Sequence, residues 1–146
     1  MEDIQLTEHF MLHEFTRSAT AIDMGIDNTP PRAAIDCLQI LCQQVLEPLR
    51  RRFGVIRITS GYRCDALNDA VGGVKGSQHR LGQAADIYIS SVEEGKKMFH
   101  YIRQHLPFDQ LLLERSASRR TRWLHVSIRP DSRYNRGMAI EDYPAR

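Results

Sequence analysis

The sequence has few cysteines and no long apolar stretch. Three of its 146 residues are cysteine, an odd number, and no two of them form a Cys-x-x-Cys pair. This usage favours buried or free thiols in a reducing compartment over a disulfide framework. No window reaches the ~20 apolar residues that a membrane-spanning helix needs. The start, Met1-Glu2-Asp3-Ile4, lacks the basic and apolar regions of a signal peptide. We therefore expect a protein that is cytoplasmic as synthesised and has no membrane segment.

The chain also has little excess of one charge sign, because its 20 basic and 18 acidic residues give a formal net charge of only +2. Arginines nevertheless crowd the last third of the chain, and such a run can mark contact with nucleic acid. Residues 115 to 122 contain no aromatic side chain that could stack on a base. We interpret the run as a solvated basic loop and its flanks, and we expect no nucleic-acid partner. Its members are Arg115, Arg119, Arg120, Arg122, Arg129, Arg133 and Arg136.

The length and composition predict one globular domain over residues 1–146. Hydrophobic residues make up 42% of the chain and charged residues 26%, which is the balance of an ordinary soluble protein. A chain of this length buries roughly two thirds of the surface that it exposes when unfolded. No repeat, low-complexity stretch or linker divides it. We also expect a monomer.

Helical spacing of apolar residues predicts a main amphipathic helix over residues 31 to 52. Pro48 should disturb its last turns, and Gly54 should end it. A second helix is predicted over residues 92 to 106. Near the start, a capping signature at Thr7 predicts a short helical turn.

Alternating apolar and polar residues predict four strands. The last two should form a hairpin, and the segment of residues 65 to 80 should combine a short helix with a Gly-rich loop. Helices beside a small, mainly antiparallel sheet make the expected fold class α+β. The predicted strands are residues 55–60, 86–90, 108–114 and 122–128.

Two histidines and an aspartate are the strongest candidates for a metal site. His79 and Asp86 lie seven positions apart, and His125 follows in Trp123-Leu124-His125-Val126-Ser127. Two imidazoles and one carboxylate suit a hydrolytic zinc ion and leave a fourth position open for water. Each residue alone has an ordinary alternative, as a loop histidine, an ion-paired carboxylate or a half-buried strand histidine. Taken together they predict zinc, with an outer hydrogen-bond partner on each imidazole.

Strand parity supports this interpretation. Leu124 and Val126 should lie on one face of the last strand, which leaves His125 on the other. If Leu111, Leu113, Ile87 and Val126 face the core, Asp86, Glu114 and His125 all face the same open side.

Several motifs surround these residues: Ile58-Thr59-Ser60-Gly61-Tyr62-Arg63, Leu67-Asn68, Val71-Gly72-Gly73, Ser77-Gln78-His79, Ala84-Ala85-Asp86, Phe108-Asp109-Gln110 and Trp123 to Ser127. Together they resemble the zinc D-Ala-D-Ala carboxypeptidase family, the M15 peptidases, which are related in fold to the hedgehog signalling domain. The similarity covers roughly residues 10 to 128. Within its weaker N-terminal part, the segments that resemble the lead-in of the phage and prophage-like branch are Phe15-Thr16-Arg17-Ser18 and Gly25-Ile26-Asp27-Asn28-Thr29-Pro30.

The resemblance implies roles for residues around the metal. Arg63, otherwise a surface charge, would stabilise the oxyanion, while Tyr62, Ser77 and Gln78 would orient His79 and the substrate. Related branches have a glutamate as general base three residues before the last ligand, where this chain has Arg122. An arginine cannot accept a proton from water. Glu114 is the substitute that parity favours, although it could equally be an exposed carboxylate paired with the basic loop.

The sequence thus predicts a zinc-dependent peptidase that hydrolyses peptidoglycan stem peptides, as a D-Ala-D-Ala carboxypeptidase or a related endopeptidase. Such an enzyme would reach the cell wall after release from the cytoplasm, and an anionic wall polymer would suit its basic loop. The alternative is a non-catalytic cell-wall-binding or virion module that keeps the fold. Arg122 is the residue that favours this alternative, and turnover of wall fragments would separate the two.

Overall fold

The computed structural model describes residues 2–145 and has a five-stranded sheet at its centre. The strand order is β3-β4-β6-β5-β7, antiparallel throughout except that β7 runs parallel to β5. A separate two-stranded hairpin, β1-β2, lies near the start of the chain. The strands are β1 Gln5–Thr7, β2 Phe10–Met11, β3 Ile58–Ser60, β4 Ala84–Tyr88, β5 Gln110–Arg115, β6 Arg122–Ser127 and β7 Met138–Pro144.

Helices accompany the sheet, so the predicted α+β class with a small, mainly antiparallel sheet is confirmed. None of the helices within residues 2–145 is long and apolar enough to cross a bilayer. All three cysteines are free thiols. The helices are α1 His13–Thr16, α2 Ala19–Met24, α3 Arg32–Leu41, α4 Glu47–Phe53, α5 Asp65–Ala70 and α6 Val92–His105, with 3₁₀ turns at Gln78–Leu81 and Ser132–Tyr134.

The main helix predicted over residues 31 to 52 forms, with a π-helical segment at Cys42–Leu46 between α3 and α4. Pro48 explains this irregularity. It has no N–H to donate to the carbonyl four residues earlier, and its ring would crowd that carbonyl in a regular α-helix. The helix widens just before the proline and then continues. It ends at Gly54, whose φ is +85°.

The helix cap predicted at Thr7 is wrong, because residues 5 to 11 form the β1-β2 hairpin, and the short helical turn of this segment, α1, begins only at His13. The hydroxyl of Thr7 donates to Oε1 of Glu47 (2.8 Å) instead of capping a helix. The His9 backbone N–H donates to the same carboxylate oxygen (2.6 Å). A buried carboxylate on α4 therefore replaces the local cap, while Leu6 and Phe10 enter the core.

One face of the sheet forms the core, as parity predicts. Ile87, Leu111, Leu113 and Val126 are fully buried and belong to one apolar cluster with residues of α3, α4 and α6. Strand β3, at one edge of the sheet, is shorter than the predicted residues 55–60, since only Ile58–Ser60 pairs with β4. Strand β7 was not foreseen. The opposite face of the sheet is the one that carries the candidate metal ligands.

Candidate metal centre

His79, Asp86 and His125 converge on the open face of the sheet. Asp86 and His125 lie directly opposite each other on β4 and β6, and His79 comes from the 3₁₀ turn before β4. His125 Nδ1 is 2.9 Å from Asp86 Oδ1, and His79 Nε2 is 3.5 Å from Asp86 Oδ2. One potential ligand atom from each residue lies within 4.8 Å of those from the other two. Both histidines are buried, and Asp86 is partly exposed.

His79 is oriented by its own backbone and by the turn after β3. Its Nδ1 lies 2.7 Å from the carbonyl oxygen of Gly61, so Nδ1–H donates there and Nε2 keeps a free lone pair. The hydroxyl of Ser77 accepts from the His79 backbone N–H (3.2 Å). The turn closes at Gly82, where φ is +73° and an added Cβ would lie 2.4 Å from the carbonyl oxygen of Ala34. With Nδ1 bonded to Gly61, the other ring nitrogen of His79, Nε2, faces Asp86.

The expected outer partner is therefore present for His79. For His125 no such partner is found within residues 2–145, because the nitrogen that bonds to a carboxylate is Nδ1, which faces Asp86 itself. The ligating atoms that the geometry offers are thus Nε2 of His79, Nδ1 of His125 and the carboxylate of Asp86.

Burial and mutual contact shift the pKa values of all three side chains. Burial acts to raise the pKa of Asp86, but the charges and hydrogen bonds of His79 and His125 outweigh it and hold that pKa well below its usual range. Burial lowers the pKa of His79, so its imidazole favours the neutral form that can ligate a metal. Burial also acts against protonation of His125, yet its hydrogen bond to Asp86 prevails and raises its pKa.

This donor set fits a zinc ion. Two imidazole nitrogens and one carboxylate are the kind of ligands that catalytic zinc takes, and three protein ligands leave a position open. The contact between His125 Nδ1 and Asp86 Oδ1, which raises the pKa of His125, also places two of the three donors next to each other. The role of the three residues as zinc ligands stays a prediction that this geometry supports.

Glu114 lies on the same face as the metal candidates. It pairs with Trp123 across β5 and β6, two positions from His125, and its Oε2 is 3.8 Å from His125 Nδ1. The indole Nε1–H of Trp123 donates to that same Oε2 (3.0 Å) and so orients the carboxylate. Burial raises the pKa of Glu114, while the positive charge of His125 acts in the opposite direction. The carboxylate does not pair with the basic loop, which was the competing interpretation.

Arg63 lies on the other flank, because it follows β3, the neighbour of β4. Its charge interacts with those of Asp86 and Glu114, although burial lowers its pKa. Nη1 donates to Oδ1 of Asn68 (3.1 Å), and Asn68 in turn donates to the carbonyl of Val74 (2.9 Å). A Cβ on Gly73 would lie 2.1 Å from Asn68 Oδ1 and 2.7 Å from Arg63 Nη1. The guanidinium of Arg63 thus lies between the buried side-chain amide of Asn68 and the backbone of Gly73.

Arg122, which occupies the position of the glutamate found in related branches, turns away from the site. It lies on β6 one residue before Trp123, so its side chain projects from the opposite face. Its Nε donates to the carbonyl of Glu114 (3.1 Å), and Nη2 lies 3.9 Å from Asp142 on β7. Arg122 therefore leaves the metal-facing side free for Glu114.

The three residues predicted to contact substrate are largely enclosed. Tyr62 is 7% exposed and belongs to the core, with one side lining a cleft beside Arg63. Ser77 is buried and caps the turn that carries His79. Gln78 donates to Gln83 (3.1 Å), and its own Oε1 accepts no hydrogen bond from any residue between 2 and 145. Their contact with substrate stays a prediction.

Sequence reasoning missed the residues that hold the catalytic candidates in place. The parity of β6 put Trp123 beside His125, and a buried indole needs an acceptor, so its bond to Glu114 could have been anticipated. Nothing in the local pattern signals that Asn68 and Gly73 enclose Arg63. That contact depends on how the loop after α5 folds back.

The comparison with protein families agrees with this geometry. The family model described as Peptidase M15 matches residues 8–127. The chain belongs to the peptidase M15 family. The matched stretch contains all three metal candidates, Glu114 and Arg63, and it ends at the last residue of β6. The M15 resemblance of the sequence motifs is thereby confirmed, and with it a peptidase as the general activity of the family. The comparison of this M15 chain with curated proteins found no match.

Proposed function

We propose that this chain is a zinc-dependent peptidase that cleaves a peptide bond in peptidoglycan stem peptides. The observation that carries the proposal is the convergence of two imidazole nitrogens and a carboxylate beside an oriented glutamate, in a chain of the M15 family. Zinc held by His79, Asp86 and His125 would polarise the scissile carbonyl and lower the pKa of a water molecule.

The chain's own residues supply the proton transfer and the charge stabilisation. Glu114, whose pKa burial raises, accepts a proton from the attacking water on a carboxylate oxygen and later donates it to the leaving amine. Trp123 keeps that carboxylate turned toward His125 during both steps. Arg63, fixed by Asn68, offers a guanidinium to the carbonyl oxygen as negative charge develops on it. Its Nε–H donates to no acceptor among residues 2–145 and so remains free to donate to substrate.

The non-catalytic alternative loses its main support. It rested on Arg122 in place of a glutamate, but Arg122 projects from the other face and Glu114 lies near His125 instead. A base is therefore available within the fold, and enzymatic turnover is the function that the site favours.

The test combines metal analysis with digestion of wall fragments. The purified protein should bind one zinc ion per chain, and the zinc-loaded protein should release fragments of muropeptides that mass spectrometry identifies. Glu114→Gln should lower turnover by about 100-fold or more without loss of zinc, because the amide keeps the shape but cannot accept the proton. Glu141→Gln is the matched control, since Glu141 is a partly exposed carboxylate on β7 that pairs with His100.

Two outcomes would contradict the proposal in different ways. Full activity in Glu114→Gln would assign the base to another residue. A zinc-loaded wild-type protein that cleaves no wall peptide would leave the non-catalytic module as the function.

A further inference from the structure

A cleft beside the metal centre contains positive charge without negative charge. It has a volume of about 390 Å³, which is in the range of small-ligand sites, and it lies between the start of α2, the end of β3 and α5. Arg17 and Arg63 are the charged residues among those that line it, and no carboxylate does. Five residues with hydroxyl groups also line it: Ser18, Thr20, Thr59, Ser60 and Tyr62.

Neither arginine is neutralised by an ion pair within residues 2–145. Arg17 donates only a long hydrogen bond to the carbonyl of Ile58 (3.4 Å), and Arg63 donates to the neutral amide of Asn68. A second cavity, on the other side of β5, differs in this respect. It has a volume of about 440 Å³ and contains several cations, but Arg115 there bonds to Asp142 (2.9 Å) and Glu141 also lines it. The protein's own carboxylates therefore balance the cations of the second cavity, whereas no carboxylate lines the first cleft.

The two backbone segments that carry the arginines of the cleft are joined to each other. The chain segment at Phe15 crosses the turn at Gly61 so closely that an added Cβ on Gly61 would lie 2.7 Å from the Phe15 backbone. The Tyr62 backbone N–H donates to the Phe15 carbonyl (2.7 Å). The buried amide of Asn28 then joins both segments, because its Nδ2 donates to the carbonyls of Thr16 and Tyr62 (3.0 Å each). The backbone on which the two arginines stand is therefore ordered before a ligand binds.

The cleft is also connected to the metal centre. The Gly61 carbonyl that lines its edge accepts from His79, and the Thr59 hydroxyl donates to the backbone carbonyl of Asp86 (3.2 Å). The cleft thus adjoins the metal candidates along β3 and the turn after it, and this is the path that the proposal below gives to a peptide that extends past Arg63 toward Arg17.

We propose that this cleft binds a carboxylate of the substrate through Arg17, so that the enzyme selects peptides with an anionic group on the Arg63 side of the scissile bond. The inference rests on the proposed peptidase function and names its substrate class. Two carboxylates of a stem peptide have this chemistry, the C-terminal one and that of an acidic residue within the peptide. Arginine binds either through a pair of charge-assisted hydrogen bonds.

The experiment measures binding separately from turnover. Three versions of one stem pentapeptide that contains a glutamate are used: the parent, its C-terminal amide, and the peptide in which the glutamate carboxylate is amidated. Their dissociation constants are measured by calorimetry with zinc-loaded protein that carries Glu114→Gln, which prevents cleavage; this protein, with Arg17 unchanged, is the wild type for the comparison. The measurements are repeated with the zinc-free protein. The variants are Arg17→Gln and, as a matched control, Arg57→Gln, because Arg57 is an exposed arginine outside the cleft that lies over the ring of Tyr88.

One of the two amidations should weaken binding to the wild-type protein by about tenfold or more, since it removes a hydrogen bond between charged groups. Which amidation does so identifies the source of the carboxylate. Arg17→Gln should weaken binding of the parent by a similar factor and bind that amidated peptide as the wild type does, whereas Arg57→Gln should behave as the wild type. The difference should persist in the zinc-free protein.

Three results would overturn the inference. These are equal affinity for all three peptides, unchanged discrimination in Arg17→Gln, and discrimination that disappears when zinc is removed, which would assign the carboxylate to the metal. Because none of these readouts depends on cleavage, a failure of the proposed peptidase activity would be recognised separately, by the absence of muropeptide products from the wild-type protein.

Discussion

Asp109 should anchor the C-terminal segment through a buried carboxylate, and its replacement gives a quantitative test of the fold. The residue lies just before β5 and is fully buried. Arg136 donates to it from its backbone N–H (2.8 Å), from Nε (3.1 Å) and from Nη2 (2.8 Å). Arg129 lies 3.2 Å from its Oδ2. The backbone carbonyl of Asp109 accepts from Met138, the first residue of β7.

The pKa gives the magnitude. Burial acts to raise the pKa of Asp109, but the hydrogen bonds and charges of Arg136 and Arg129 lower it from 3.8 to about 2. Since one pKa unit corresponds to about 1.4 kcal/mol, ionised Asp109 contributes about 2 kcal/mol to the free energy of unfolding. The folded-state pKa is depressed, so this contribution is complete above pH 4–5 and is lost as the pH falls through about 2, with roughly half gone near pH 3.

The assay is urea denaturation of the wild type and Asp109→Asn at several pH values from 7 to 3. Asparagine cannot ionise, so the variant should be about 2 kcal/mol less stable at pH 7 and only about 1 kcal/mol less stable at pH 3. Asp131→Asn is the control, because Asp131 also pairs with an arginine (2.6 Å to Arg133 Nη2) but on the surface, where such pairs contribute little. A difference between wild type and Asp109→Asn that stays constant from pH 7 to 3 would refute the reasoning.

Two further substitutions test the supports of the site. Asn68→Leu should lower kcat by about tenfold with zinc content unchanged, because Arg63 loses its fixed acceptor. Asn68→Asp, which keeps an acceptor oxygen, should recover part of the loss. Equal kcat in the wild type and both variants would reject Asn68 as the residue that positions Arg63. Gly82→Ala should destabilise the fold by more than the ~1–2 kcal/mol that a left-handed backbone alone costs, because the new Cβ would collide with Ala34. Gly72→Ala is the control, since Gly72 has the same φ of +73° but nothing within 4 Å of the added Cβ. Thermal unfolding of this control should show only the cost of the backbone conformation.

The sequence was most informative where alternation and burial act together. Each strand of the sheet has one fully buried face, so a shift of one residue would expose the core, and the register is determined by that cost. Asp86, Glu114 and His125 therefore had to share the other face once Ile87, Leu111 and Val126 were assigned to the core. For the same reason the helices over residues 31–52 and 92–106 could be predicted from periodicity, and the π-helical segment follows from Pro48.

The features that the sequence did not predict depend on contacts between distant segments. The hairpin at the start of the chain depends on Glu47, some 40 residues away, which accepts from Thr7 and His9 in place of a local cap. Strand β7 pairs in parallel with β5, and a parallel partner has no hairpin turn that would announce it. The enclosure of Arg63 by Asn68 and Gly73 likewise requires the folded loop. Local propensity carries no information about such contacts.

The sheet order explains why the candidate groups can act from two sides. Asp86 and His125 lie on the adjacent strands β4 and β6, while Glu114 is on β5 at one flank and Arg63 follows β3 at the other. A proton acceptor and a cation placed on opposite flanks cannot neutralise each other by direct pairing, and each remains free for a substrate that lies between them. Strand β7 and the Asp109–Arg136 contact cover the outer edge of β5, so the strand that carries Glu114 is paired on both sides. The segment beyond the family match thus stabilises the position of the proposed base.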